Sequence, residues 1–236
     1  MKIRIKFSKQ GPLRFIGHLD VMRYFQKVMR RAEVPIRYSE GFSPHQIMSF
    51  ASPLSVGLTS NGEYMDIEVL STESSKTMVE RMNAVSADGI RVLSYRLLED
   101  SAKNAMSSVA AADYTLWFKE GYVPEDENGF FERFLAFCAQ ESIETVKQTK
   151  KGEKTVNLKP YVYEAHRTEN GVFLKLSAGS AANVKPEQLL AAFYASQGED
   201  YPVFAFQVQR EEVYADEGTE GAPKFIPLED YGTEIE

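Results

Sequence analysis

Cysteine is almost absent from this chain of 236 residues: Cys138 is the only one. No intrachain disulfide can form, so a reducing cytoplasm is the expected location. Iron–sulfur clusters are held by several thiolates, so none is expected on this chain. Long apolar runs are missing too. The longest stretch without Asp, Glu, Lys or Arg covers residues 41–62, and it holds Pro44, Pro53, His45 and five serines. That composition predicts loop and strand rather than a membrane helix, so no membrane partner is expected. Residues 1–9 alternate charge and apolarity, without the apolar centre of a secretory signal. No glycine-rich dinucleotide fingerprint, Walker loop or nucleophile elbow occurs. Histidine is scarce, with only His18, His45 and His166.

Hydrophobic residues make up 43% and charged residues 26%, which is ordinary for a folded domain. The net charge of −7 argues against nucleic acid as a partner, but the charge is uneven. Residues 1–50 hold ten basic and three acidic side chains. Residues 211–236 hold nine acids against Lys224 alone. The basic fifth of the chain is therefore where an anionic partner would be met.

Periodicity gives the organisation. Residues 2–8 set Ile3, Ile5 and Phe7 opposite Arg4, Lys6 and Ser8, a half-buried strand. Gly11-Pro12 breaks it. Residues 18–33 form a helix with Leu19, Met22, Phe25, Met29 and Ala32 on one stripe and Asp20, Arg23, Lys27, Arg30 and Arg31 opposite, ended by Pro35. Strands at 36–38 and 63–70, a helix at 77–85 and a strand at 90–98 complete a β-α-β-β-α-β order. The order then recurs. A strand at 113–120 precedes a Phe-rich helix at 124–140, and a polar hairpin is inserted at 144–158. Strands at 161–167 and 171–177 meet across Asn170-Gly171, a hairpin signal. A helix at 186–196 and a strand at 203–214 follow. The fold class expected is α+β: two tandem ferredoxin-like units with antiparallel sheets, the second with an inserted hairpin. Expected boundaries are 1–100, 112–214 and an acidic, loose tail at 215–236.

Chemistry concentrates in residues 11–50. The loop Ser39-Glu40-Gly41-Phe42-Ser43-Pro44-His45 offers backbone N–H groups to an anion. Arg14, Arg23, Arg30 and Arg31 suit phosphates, while Tyr24, Tyr38 and Phe42 suit base stacking. Each feature has a plainer reading. The basic stripe is equally the solvated face of a helix, Phe42 equally a core plug, and His18 equally a helix cap. His18, Asp20 and His45 match no zinc spacing, so no metal is expected; a histidine pair would also serve acid–base work on an RNA hydroxyl. Elsewhere Cys138 reads as core, His166 as an isolated strand residue, and Lys147, Lys150, Lys151 and Lys154 as an exposed cluster on the inserted hairpin.

The motifs Leu13-Arg14-Phe15-Ile16-Gly17-His18-Leu19-Asp20, Arg30-Arg31-Ala32 and Tyr38 to His45, continued by Phe50-Ala51-Ser52-Pro53-Leu54-Ser55-Val56-Gly57 and Glu63-Tyr64-Met65-Asp66, carry a resemblance. The chain resembles the radical SAM-associated family of unknown function, whose members stand alone or form the C-terminal part of radical SAM proteins. The resemblance spans most of residues 1–210. It implies a radical SAM protein as partner, carrying the iron–sulfur cluster and S-adenosylmethionine, and a setting in RNA modification, with tRNA the foremost substrate. The tandem order also resembles RAMP-type endoribonucleases in architecture, although Gly179 and Gly198 do not make their late glycine-rich loop. Three readings follow. The first is an RNA-binding or substrate-presenting accessory using Arg14, Arg23, Arg30, Arg31, Tyr38, Ser39, Gly41, Phe42, Ser43 and His45. The second is an RNA-cleaving or RNA-modifying enzyme using His18, Asp20 and His45. The third is a purely protein-binding subunit using the uncharged stretch 47–58.

Overall fold

A computed structural model describes residues 1–149, 152–180, 182–219 and 221–236. In chain order the elements are β1 (Lys2–Lys9), a 3-10 turn at Gly11–Phe15, α1 (His18–Arg31), β2 (Met48–Phe50), β3 (Thr59–Glu68), α2 (Ser75–Ala84), β4 (Ile90–Leu98) and α3 (Ala105–Ser108). Then come β5 (Val109–Phe118), α4 (Glu127–Cys138), β6 (Glu144–Thr149), β7 (Gly152–Asn157), β8 (Val162–Arg167), β9 (Val172–Ser177), α5 (Pro186–Ser196), β10 (Phe206–Asp216), β11 (Phe225–Pro227) and β12 (Gly232–Thr233). The protein is a mixed α+β chain. It divides into a first unit of residues 1–110 and 210–236 and a second of residues 111–209.

In the first unit β1 is central, with β3 and β4 antiparallel on its two sides. β2 adds to β3, and β12 to β4. The β-branched and aromatic residues of β1 turn Ile3, Ile5 and Phe7 toward the helices. There they meet Phe25 and Met29 of α1 and Met78 and Met82 of α2. The Phe7 and Phe25 rings lie edge-on at 4.6 Å. Both are essentially fully buried, and each contributes about 1.5–3 kcal/mol of transfer free energy. Pro35 follows α1, as the pattern requires.

The other face of β1 departs from expectation. Alternation predicts Arg4 and Lys6 in water, yet Arg4 is buried and only 14% of the Lys6 side chain is exposed. Arg4 forks onto both oxygens of Asp66 at 2.8 and 2.9 Å and donates to the Leu228 carbonyl. Lys6 reaches Glu212 and Glu229, and these bonds outweigh burial and raise its pKa. Tyr64 donates to Glu212 at 2.6 Å, with burial beside that carboxylate pushing its phenol well above the ordinary value.

What covers this face is the segment expected to be a loose tail, and that expectation is corrected. β11 pairs with β10, a 3-10 turn at Leu228–Tyr231 seats Leu228 out of solvent, and β12 lies along the edge of β4. The Ile235 carbonyl then accepts from Ser75 N–H at α2, and its side chain joins the core. The acids look aperiodic because key partners stand far away in the chain: Glu229 meets Lys6, 223 residues distant, and Asp230 meets Arg96. The expected boundary at 214 moves to 210 for the same reason: β10 contributes to both units.

The second unit orders its strands as β10, β5, β9, β8. β5–β9 and β8–β9 are antiparallel. The turn across Asn170-Gly171 closes β8 onto β9, with Thr168 N–H bonded to the Gly171 carbonyl. The helix-facing side is packed with rings, among them Phe118 against Phe206 at 4.4 Å and Phe130 against Phe193 at 5.4 Å. β6 and β7 form the separate hairpin that the sequence places at 144–158.

Candidate functional site

The first unit's motif segment is held from below by Lys9. Its ammonium donates to the Ile16 carbonyl, just ahead of α1, and it lies in the field of Glu63 and Arg210. Burial lowers its pKa. Arg210 forks onto Glu63 at 2.8 and 2.5 Å and donates to the Ser52 carbonyl at 2.7 Å. This buried cluster fixes the turns on which the exposed residues stand. Sequence reading missed it. Its signal, charges of opposite sign on β1, β3 and β10, becomes visible only once the order of these strands is known.

α1 begins at Gly17, which caps it with no side-chain bond, so His18 is not the cap. The His18 ring instead packs edge-on against Phe50 at 5.2 Å. Asp20 pairs with Arg23 at 3.3 Å in solvent. Farther along the same face Lys27, Arg30 and Arg31 are exposed, and among the described residues none has an acidic partner within ion-pair distance. Arg30 and Arg31 occupy the last turn, where cations also favour the helix dipole by about 0.3–1 kcal/mol each. Arg14 lies on the preceding turn, half-buried, with its guanidinium over the Phe15 ring at 4.8 Å.

The Ser39–His45 loop is a closed excursion. Ser39 N–H bonds the His45 carbonyl at 2.8 Å, His45 N–H bonds Ser39 Oγ at 3.1 Å, and His45 Nδ1 lies 2.9 Å from the same oxygen. Gly41 takes φ +109°, a conformation that favours glycine. At the tip Phe42 is fully exposed, so it is no core plug. Tyr38 bridges Gln46, whose amide donates to the Gln26 carbonyl of α1 at 3.3 Å. That bond ties the base of the loop to the middle of the basic helix.

The predicted residues therefore divide. Arg23, Arg30, Arg31, Tyr38, Gly41, Phe42, Ser43 and His45 are all exposed, with Ser39 and Arg14 half-buried. His18 and His45 are engaged by Phe50 and Ser39 respectively, and no hydrogen bond or ring contact joins them. Among the described residues no three His, Cys, Asp or Glu side chains gather to hold a metal. Residues 47–58 do not form an apolar surface: Met48–Phe50 is strand, Phe50 and Ala51 are buried, and only Pro53 and Val56 are exposed. Cys138 is buried, with its thiol pushed up to about 12 by burial. On the hairpin Lys154 is exposed, while Lys150, Lys151 and the Lys147 side chain lie outside the described residues. No helix among the described residues is long and apolar enough to cross a membrane.

Fold and surface together define a mixed α+β protein whose first unit presents an exposed cationic helix beside an aromatic-tipped loop. The chain belongs to the family described as "Uncharacterized protein conserved in bacteria (DUF2344)", whose model matches residues 2–186. No curated protein matches the chain. Among solved structures it is similar to the crystal structure of a Cbf5-Nop10-Gar1 complex. The likeness has 12% identity and a TM-score of 0.42, over 89% of this chain and 48% of that one. The chain thus spans about half the length of that protein.

Proposed function

We propose that this protein is an RNA-binding, substrate-presenting accessory of a radical SAM enzyme, acting in the cytoplasm on RNA, with tRNA the foremost candidate. The observation that carries the reading is the row Lys27, Arg30 and Arg31, exposed and without acidic partners among the described residues. It is linked through Gln46 to a loop that displays Tyr38 and Phe42. Cations meet a phosphate backbone, and exposed rings stack unpaired bases. Both units are read as ferredoxin-like. The radical SAM partner comes from the sequence resemblance, and it would carry the cluster and S-adenosylmethionine; the single buried cysteine here suits neither.

Gel shifts with total tRNA test the proposal. Wild type should bind at low salt and weaken steeply as salt rises. Neutralising two phosphate contacts with Arg30→Ala/Arg31→Ala should lower the log–log salt slope by about 1.4–1.8. No binding by wild type, or an unchanged slope in the variant, overturns it. The catalytic alternative has no joined histidine pair in its favour.

A further inference from the structure

Two exposed apolar patches in this chain have opposite charge. The first lies at the start of α1. Phe15 is 61% exposed, and Leu19, four residues on, and Val56 are exposed by more than half. Gly57 N–H bonds the Arg14 carbonyl at 2.8 Å, which brings the Val56 turn beside Phe15. The neighbouring charges are Arg14, Arg23 and Lys27, against Asp20.

The second patch lies in the other unit. Phe204 is 71% exposed, and Val203, Tyr122 and Val123 are exposed by half or more. Lys119 N–H bonds the Ala205 carbonyl at 2.8 Å, so the 119–123 and 203–205 turns are neighbours. In the chain Glu120 and Glu125 flank Tyr122 and Val123, and Glu199 and Asp200 come just before Val203; all four are exposed, none has a basic partner within ion-pair distance among the described residues, and Lys119 is the one cation of these two turns. Large exposed apolar groups rimmed by charge mark association surfaces. The acidic rim repels nucleic acid, and the apolar, cation-rimmed patch on the first unit supplies the matching chemistry.

We propose that the chain self-associates by seating the basic apolar patch of one copy on the acidic apolar patch of a second copy. The contact joins unlike surfaces, so it is heterologous. Apolar anchors supply the attraction, and the opposed rims fix orientation and speed encounter. The proposal stands apart from the RNA reading, because its readout is the mass of RNA-free protein.

Sedimentation velocity on the full chain over a concentration series tests it. Wild type should gain mass with concentration, and less so in high salt. Arg14→Glu/Arg23→Glu should weaken association about tenfold or more, as should Glu199→Lys/Asp200→Lys. Mixing the two variants should restore a dimer, because each keeps the patch the other has lost. A wild type that stays monomeric throughout overturns the proposal. So does a mixture that stays monomeric, or association that survives both reversals, as pairing of like patches or capture by another surface would give. Phe204→Ser, which leaves both charge sets intact, should also leave the protein monomeric; persistent association counts against it.

Discussion

Glu63 sits between two cations with almost no water, and its removal gives the sharpest stability prediction. The carboxylate is 7% exposed and takes both arms of the Arg210 fork, itself 3% exposed. Lys9 lies within reach of the same charge. Glu63→Gln leaves Lys9 and Arg210 buried together without this carboxylate. Breaking a buried pair costs about 3–5 kcal/mol, and this site belongs at the upper end because two cations remain. For a chain of this size each kcal/mol moves Tm by about 2–4 °C, so the drop should be roughly 10–20 °C. Arg210→Met should cost less, about 2–3 kcal/mol, because Lys9 still neutralises part of Glu63. Scanning calorimetry gives both values. The reverse ranking, or a Glu63→Gln cost below about 1 kcal/mol, as for an exposed pair, would refute the account. A pH series adds a signed check. Burial already holds the Lys9 pKa below 10.5, and Glu63 opposes that shift. Without Glu63 the folded chain releases this proton earlier than the unfolded chain does. The unfolded state then binds more protons, so stability rises with pH through the folded pKa and levels off above 10.5. Glu63→Gln should therefore regain stability on alkaline titration relative to wild type.

The C-terminal cover should behave as core. Leu228 is fully buried, so Leu228→Ala should cost about 2–5 kcal/mol in urea unfolding, and a change under about 1 kcal/mol would mean that the segment is dispensable. Cys138 should resist an aromatic disulfide reagent at pH 8 in native protein and react once unfolded, since its thiol ionises only near pH 12; rapid native labelling would contradict its burial.

Elements with strong period were legible in the sequence, and those built by distant pairing were not. Ile3, Ile5 and Phe7 announce β1 by themselves, and Phe25, Met29 and Ala32 announce α1, although the expected stripe is turned: Leu19 is exposed and Val21 and Val28 are buried in its place. Asn170-Gly171 marks its hairpin because glycine relieves the turn locally. β11 and β12 have three and two residues, too short for any pattern, and exist because β10 and β4 offer them edges. The wet face predicted for β1 failed similarly. Alternation tells which side chains share a face, while the cover of that face was encoded some 220 residues away. At the candidate site the exposed helix cations were readable from their spacing. The Ser39–His45 clamp and the Lys9–Glu63–Arg210 anchor were not, since both depend on register and turn closure.

The placement of residues 210–236 in the first unit has a consequence during synthesis. Translation runs from the N-terminus at about 5–20 residues per second. Residues 1–110 leave the ribosome ahead of the rest of their unit, and about a hundred residues of the second unit intervene before β10 and the cover emerge. For roughly 5–20 seconds the nascent first unit holds Arg4, Lys6 and Asp66 without Leu228 or Glu229, and β3 without β10 beside it. Residues 210–236 thus close a unit whose other residues are made earlier, and a ribosome stalled before residue 210 leaves a half-covered sheet for chaperones to find.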